Sequence, residues 1–113
     1  MESILTSIKK LLGITEEYEH FDADIIMHIN AAFMTLSQLG VGPSDGFRIT
    51  SKSNQWDEFI PSDNKNFESV KSYIYLKVKL LFDPPSSSAV MESTNRMINE
   101  FEWRLNVAAE TKQ

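Results

Sequence analysis

The residues of this chain best suited to chemistry are two histidines, His20 and His28, which could bind a metal or carry a proton near neutral pH. They stand eight residues apart, with no His-Glu-x-x-His spacing, and His20 sits among acids at a helix entrance. As ligands they would need carboxylates brought to them by the fold, so the expectation is two surface or half-buried histidines. Ser7-Ile8-Lys9-Lys10 fits the short Ser-x-x-Lys pattern of acyl-transfer enzymes, but none of its companion motifs is present. Gly40-Val41-Gly42 runs into Pro43 instead of a helix start, so it makes no phosphate cradle. Glu92, Glu100 and Glu102 read as a solvated helix face and not as paired acids. The chain has no cysteine, which removes thiol catalysis, disulfides and thiolate zinc sites. No catalytic, cofactor-binding or metal-binding residue is assigned, and a non-enzyme with no cofactor is expected.

Aromatic residues beside charges suggest recognition instead. In Phe101-Glu102-Trp103-Arg104 the phenylalanine belongs to an apolar stripe, and Trp103 projects roughly 200° around the helix from it. Trp103 therefore faces a second layer of the same fold, packs under a long loop, or meets a partner. With Arg104 it belongs to the residue types enriched at interface hot spots. Trp56 and Phe59 lie in a stretch otherwise rich in Ser, Asn, Asp and Gly, and either fold back on the helices or dock on a partner. Trp56, Phe59, Trp103 and Arg104 are thus the candidate subunit or partner contacts.

The elements that must position these residues are helices. Ser3 to Leu12 carries Ile4, Leu5, Ile8, Leu11 and Leu12 on one face, with Gly13 as its stop. An acidic, aromatic linker follows, so residues 1–20 form an N-terminal helix and linker. The second helix runs from Asp22, a possible cap, to Leu39, and Gly40 ends it. From 41 to 61 the periodicity dissolves into a long irregular loop or a short β-hairpin, with Phe47-Arg48-Ile49 as one possible strand. A third helix starts around Asp63 to Asn66 and ends at Phe82; it is apolar on so many sides that it reads as central, with Tyr73, Ile74 and Leu81 buried. Pro84 and Pro85 lack N–H donors, and Pro84 pushes Asp83 out of helical geometry. Asp83-Pro84-Pro85 is therefore a structural elbow, and the serines after it can cap a fourth helix, Ser88 to Ala108. Val90, Met91, Thr94, Met97, Ile98, Phe101, Leu105 and Ala108 form one side of that helix, and residues 109–113 should fray. The prediction is a mainly α fold of about four helices in a single domain, 1–113.

Composition narrows the setting. The 113 residues carry 16 acids and 11 bases, a net charge of −5. Such a chain is repelled by phosphate backbones, which disfavours tight DNA binding by a lone copy. No apolar run approaches the roughly 20 residues that span a bilayer, and no signal peptide is recognisable, so a soluble, unsecreted protein with no membrane partner is expected.

With these elements placed, the chain resembles the small head–tail connector (head-completion adaptor) proteins of long-tailed phages and prophages. The resemblance rests on Asp24-Ile25-Ile26 with Ile29-Asn30-Ala31-Ala32, followed by Leu39-Gly40-Val41-Gly42. It continues in Val70-x-x-Tyr73-x-Tyr75-Leu76-Lys77-Val78, running into Phe82-Asp83-Pro84-Pro85-Ser86-Ser87-Ser88, and in Glu102-Trp103-Arg104-Leu105-Asn106. It implies a helical adaptor of the virion neck, assembled in the host cytoplasm as a homo-oligomeric ring, commonly of twelve copies. Such a ring sits beneath the portal protein, receives the next neck or tail-completion protein, and lets DNA pass without specific binding. The competing reading is a small nucleic-acid-binding or phage regulatory protein using Lys71, Lys77 and Lys79. Those lysines fall at roughly 0°, 240° and 80° around their helix and form no single stripe.

Overall fold

Ser3 opens the first helix as its spacing suggests: its hydroxyl accepts from the Thr6 N–H at 3.2 Å, satisfying an amide that the first turn leaves without a partner. In the computed structural model, which describes residues 2–111, α1 spans Ile4–Leu12, α2 Asp22–Gln38, α3 Phe67–Phe82 and α4 Ser88–Thr111. A single 3-10 turn, Trp56–Glu58, interrupts the long connection between α2 and α3. The described residues include no β-strand, only an isolated bridge between Ser3 and Gln55. The hairpin alternative for the loop is therefore set aside, and Phe47-Arg48-Ile49 is irregular.

Both N-terminal helices stop in the same way. Gly13 and Ile14 donate back to Lys10 and Lys9, and Gly40 and Val41 donate to Ser37 and Leu36, at 2.8 to 3.1 Å. This is the paired closure that a left-handed residue permits, and Gly40 has φ +84°. Asp22 was expected to cap α2, yet it is the first helical residue and Phe21 occupies the cap position. Its carboxylate is drawn away by Lys9, whose ammonium lies 2.8 Å from Oδ1. An acid in the first turn still complements the helix dipole.

α3 is central, packing against α1, α2 and α4. Val70, Tyr73, Ile74 and Val78 are fully buried, joined in one core by Ile4, Leu5 and Ile8 of α1 and Ile25, Ile29, Ala32, Phe33 and Leu36 of α2. The helix starts at Phe67, slightly later than the pattern suggests, because Asn64 accepts the Asn66 N–H in a preceding turn. Leu81 contradicts its expected burial, being 54% exposed. It keeps the register of the buried stripe, but in the last turn of α3 its neighbours Leu80 and Phe82 pack against the core, Phe82 edge-on to Phe21, while Leu81 itself stays uncovered. α4 shows the same pattern: Val90 and Met97 are uncovered, and the helix's buried residues are Ile98 and Leu105.

The elbow between α3 and α4 works as the sequence suggests. Asp83 leaves helical geometry at φ −146°, ψ 69°, and Lys79 holds its carboxylate at 2.7 Å. Ser87 then caps α4, its hydroxyl accepting from the Val90 N–H at 3.3 Å. α4 runs on through Ala109 and Glu110 to Thr111, past the expected fraying point; residues 112 and 113 lie outside the described part.

Candidate assembly surface

Of the four candidate contact residues, two are in the core. Trp56 is fully buried, and its indole N–H donates to the Ser7 hydroxyl at 2.9 Å, which in turn donates to the Ser3 carbonyl at 2.7 Å. Its ring meets the edge of Phe67 at 5.7 Å between centroids. Phe59 is 7% exposed and closes an aromatic cluster with Phe33 at 4.7 Å and Phe47 at 5.3 Å. Gly42 passes so close to that ring that any Cβ would collide with Phe59. The docking role for Trp56 and Phe59 is therefore corrected: an indole with a polar partner 49 positions earlier in the chain gains more by closing the core than by waiting in water.

Polar side chains make this loop definite despite its lack of regular structure. The Asn30 side chain exchanges two hydrogen bonds with the Ile49 backbone, at 2.8 and 2.9 Å. Asn54 accepts from the Thr50 N–H at 2.8 Å, and Glu58 accepts from the Gln55 N–H at 2.7 Å. That backbone bond, with a second from Asn54, holds the Glu58 carboxyl below the usual range. The Ile4 amide donates to the Asn54 carbonyl at 3.0 Å, tying the loop to the start of α1.

Trp103 and Arg104 behave oppositely. Trp103 is 67% exposed, which excludes packing beneath the 41–61 loop, and Arg104 pairs with Glu100 on its own helix, at 2.9 Å. Their neighbours in the same short run face inward. Glu102 accepts the Tyr73 hydroxyl at 2.7 Å, with the Lys77 ammonium 3.9 Å away. Leu105 is buried, and the Asn106 amide donates to the Leu39 carbonyl at 3.2 Å. Glu102 is thus an anchor and not a solvated acid. Burial, followed by the nearby carboxylate, pushes the Tyr73 phenol well above its ordinary pKa.

A second uncovered apolar surface lies on α2. Met27 and Met34 are 60% and 64% exposed and, with Ile26, Ala31, Phe47 and Arg48, line an open groove of about 980 Å³. This face lies opposite the buried stripe Ile25, Ile29 and Leu36, so α2 is apolar on two sides.

Sequence reasoning missed Lys9, which is 2% exposed. Its ammonium donates to the Glu16 carbonyl at 3.0 Å and the Tyr18 carbonyl at 2.7 Å and forms an ion pair with the Asp22 carboxylate at 2.8 Å, which compensates the buried charge. The available signal was its register: it falls four residues after Leu5 and one after Ile8, inside the apolar stripe of α1. His20 is exposed, resting edge-on against Phe21, and His28 is half-buried. Among the described residues no three His, Cys, Asp or Glu side chains gather as a metal site, and no helix is long and apolar enough to cross a membrane. Lys71, Lys77 and Lys79 each lie against a carboxylate of the same chain, at 3.5, 3.9 and 2.7 Å.

What remains is a helical scaffold with two outward apolar surfaces. The family model described as "Phage connector protein" matches residues 4–112. The chain belongs to the phage connector protein family. That membership makes it a component of the head–tail junction of the virion, in a structural family not known for enzymatic activity. No curated protein and no solved structure gives a match. The connector's family-like runs have physical reasons here. Asn30, Gly40, Tyr73, Glu102 and Asn106 are the residues that pin loop, helix ends and α4 to the core.

Proposed function

We propose that this connector assembles as a ring beneath the portal vertex, joins the DNA-filled head to the next neck or tail protein, and leaves an axial channel for DNA. The observation that carries the reading is the state of α4 within a family-wide match: Val90, Met97, Trp103 and Val107 stay uncovered on one helix. A lone copy leaves this much apolar surface in water, and burial against other subunits removes it. A net charge of −5 suits a channel through which phosphates must slide without sticking. The connector reading is favoured over nucleic-acid binding because each of the three lysines lies beside a carboxylate, Glu2, Glu102 or Asp83, which lowers the local positive charge a phosphate would meet.

Trp103 lies roughly 120° around α4 from Met97, so the helix presents two separate contact faces, as a subunit with neighbours in the ring and another protein above or below requires. Electron microscopy of particles carrying the chain tests the reading. Rings of density between portal and tail, absent when the chain is withheld, are expected. Filled heads that join tails normally without it would overturn the proposal.

A further inference from the structure

We infer that residues 14–21 form a strap closed by the buried Lys9 ammonium, and that the closed strap braces the α3–α4 elbow. Every side chain from Thr15 to His20 is exposed, so apolar burial does not hold this stretch in place. Two turns curl its backbone instead. The Tyr18 N–H donates to the Thr15 carbonyl at 3.2 Å, and the Asp22 N–H to the Glu19 carbonyl at 3.1 Å. The Glu16 and Tyr18 carbonyls then converge on the Lys9 ammonium, at 3.0 and 2.7 Å. Asp22 completes the cage. Its buried Oδ1 lies 2.8 Å from the ammonium, and among the described residues that ion pair alone compensates it. The strap also carries Glu16, Glu17 and Glu19, whose like charges favour an open chain once the cation is gone.

The strap ends at the elbow. Phe21 meets the Phe82 ring edge-on, at 5.3 Å between centroids, and Phe82 is the last residue of α3. Behind Phe21 stand His20 and Tyr18, at 4.7 and 5.9 Å. Such edge contacts fix the position of a ring as well as burying it. The chain leaves helical geometry at the next residue, Asp83, so whatever holds Phe82 holds the point from which α4 departs. No residue from Ser88 to Met97 is fully buried, and the direction of that half of α4 therefore depends on the elbow. Removing the Lys9 charge leaves the Asp22 carboxylate and two inward carbonyls uncompensated. Opening the strap returns them to water and carries Phe21 away from Phe82.

Amide hydrogen exchange on the full chain tests the inference. Lys9→Met keeps the buried stem and removes the charge with its N–H donors. Exchange should quicken by roughly tenfold or more at residues 14–21 and at residues 80–83, while residues 70–78 of the same helix keep their protection. Faster exchange confined to 14–21 would overturn the brace, and unchanged exchange in both segments would overturn the clamp. Phe21→Ala decides the brace even where Lys9→Met fails to fold. It leaves the cage whole, so residues 80–83 should exchange faster while residues 14–18 match wild type; protection at 80–83 equal to wild type would sink the brace. The cage has its own readout. In Lys9→Ala, n-propylammonium supplies the missing atoms and should restore slow exchange in both segments. Tetramethylammonium at the same concentration carries the charge but no N–H, and should restore neither. Rescue by both salts, or by none, would show that the strap is not folded around a hydrogen-bonding cation.

Discussion

The two tryptophans of this connector reverse what their surroundings suggest. Trp56 sits in an irregular, polar stretch and is fully buried; Trp103 sits in a regular helix and is 67% exposed. The difference shows where each region finds its energy. The 41–61 loop has almost no repeating backbone bonds, so it is fixed by inserting Trp56, Phe59, Ile49 and Ile60 into the core and by side chains that replace the missing ladder. α4 satisfies its own backbone and is held by Ile98, Phe101 and Leu105 and by the hydrogen bonds of Glu102 and Asn106, which frees its outer surface for contacts. Irregular sequence is not the accessible part of this molecule.

The sharpest way to break the comparison is at Trp56. Trp56→Ala removes a fully buried indole, leaves a cavity and strips the Ser7 hydroxyl of its donor, so a loss of ~3–5 kcal/mol in urea titration is expected. A loss below about 1 kcal/mol would mean that the loop is not part of the core and that the contrast fails.

Much of this was legible in the sequence because helices advertise themselves. The stops at Gly13 and Gly40, the Asp83-Pro84-Pro85 elbow and the central third helix all follow from local backbone rules and periodicity. Three features were not legible, each for a tertiary reason. Leu81 keeps a core register, but which side of the last turn of α3 a neighbour covers is decided elsewhere in the chain. Trp56 finds a partner 49 positions away, a distance no local pattern encodes. Glu102 reads as a surface acid until Tyr73 is placed opposite it. Residue type and its angle from Phe101 made Trp103 a candidate but left three placements open, and only the packed structure separates it from Trp56.

A middle-sized effect belongs to the pin between the two regimes. Tyr73→Phe removes the hydroxyl donated to Glu102, a bond to a charged acceptor, and should cost ~1.5–3 kcal/mol at neutral pH. The pH dependence has a definite sign. The folded phenol's pKa is raised, so above about pH 10 the unfolded chain loses this proton while the folded chain keeps it. The folded state then binds more protons, and stability falls as pH rises further. The phenylalanine variant lacks that group, so its deficit relative to wild type should shrink between pH 9 and about pH 11. Denaturation midpoints for both chains at the two pH values check this; a constant gap would mean that Tyr73 titrates alike in both states.

The smallest effect on folding should come from the residue with the largest expected effect on assembly. Trp103→Ala removes an indole that is mostly in water, from a helix where alanine is the better former. Its folding free energy should stay within ~0.5 kcal/mol of wild type, as for surface substitutions away from packed features. Particles carrying it should nevertheless fail to join tails, because a large exposed aromatic releases the most surface from water when it docks. The two measurements must be read together. A stability loss above about 1.5 kcal/mol would show that Trp103 packs within its own chain, erasing the contrast with Trp56. Unchanged stability with normal virions would keep the contrast in burial but remove Trp103 as an anchor. Arg104→Ala separates the two faces of α4: it breaks only the exposed pair with Glu100, so it should spare folding as well. If it abolishes the ring while Trp103→Ala leaves rings but no tails, the two faces serve different partners. If both variants lose the ring, one continuous contact covers them.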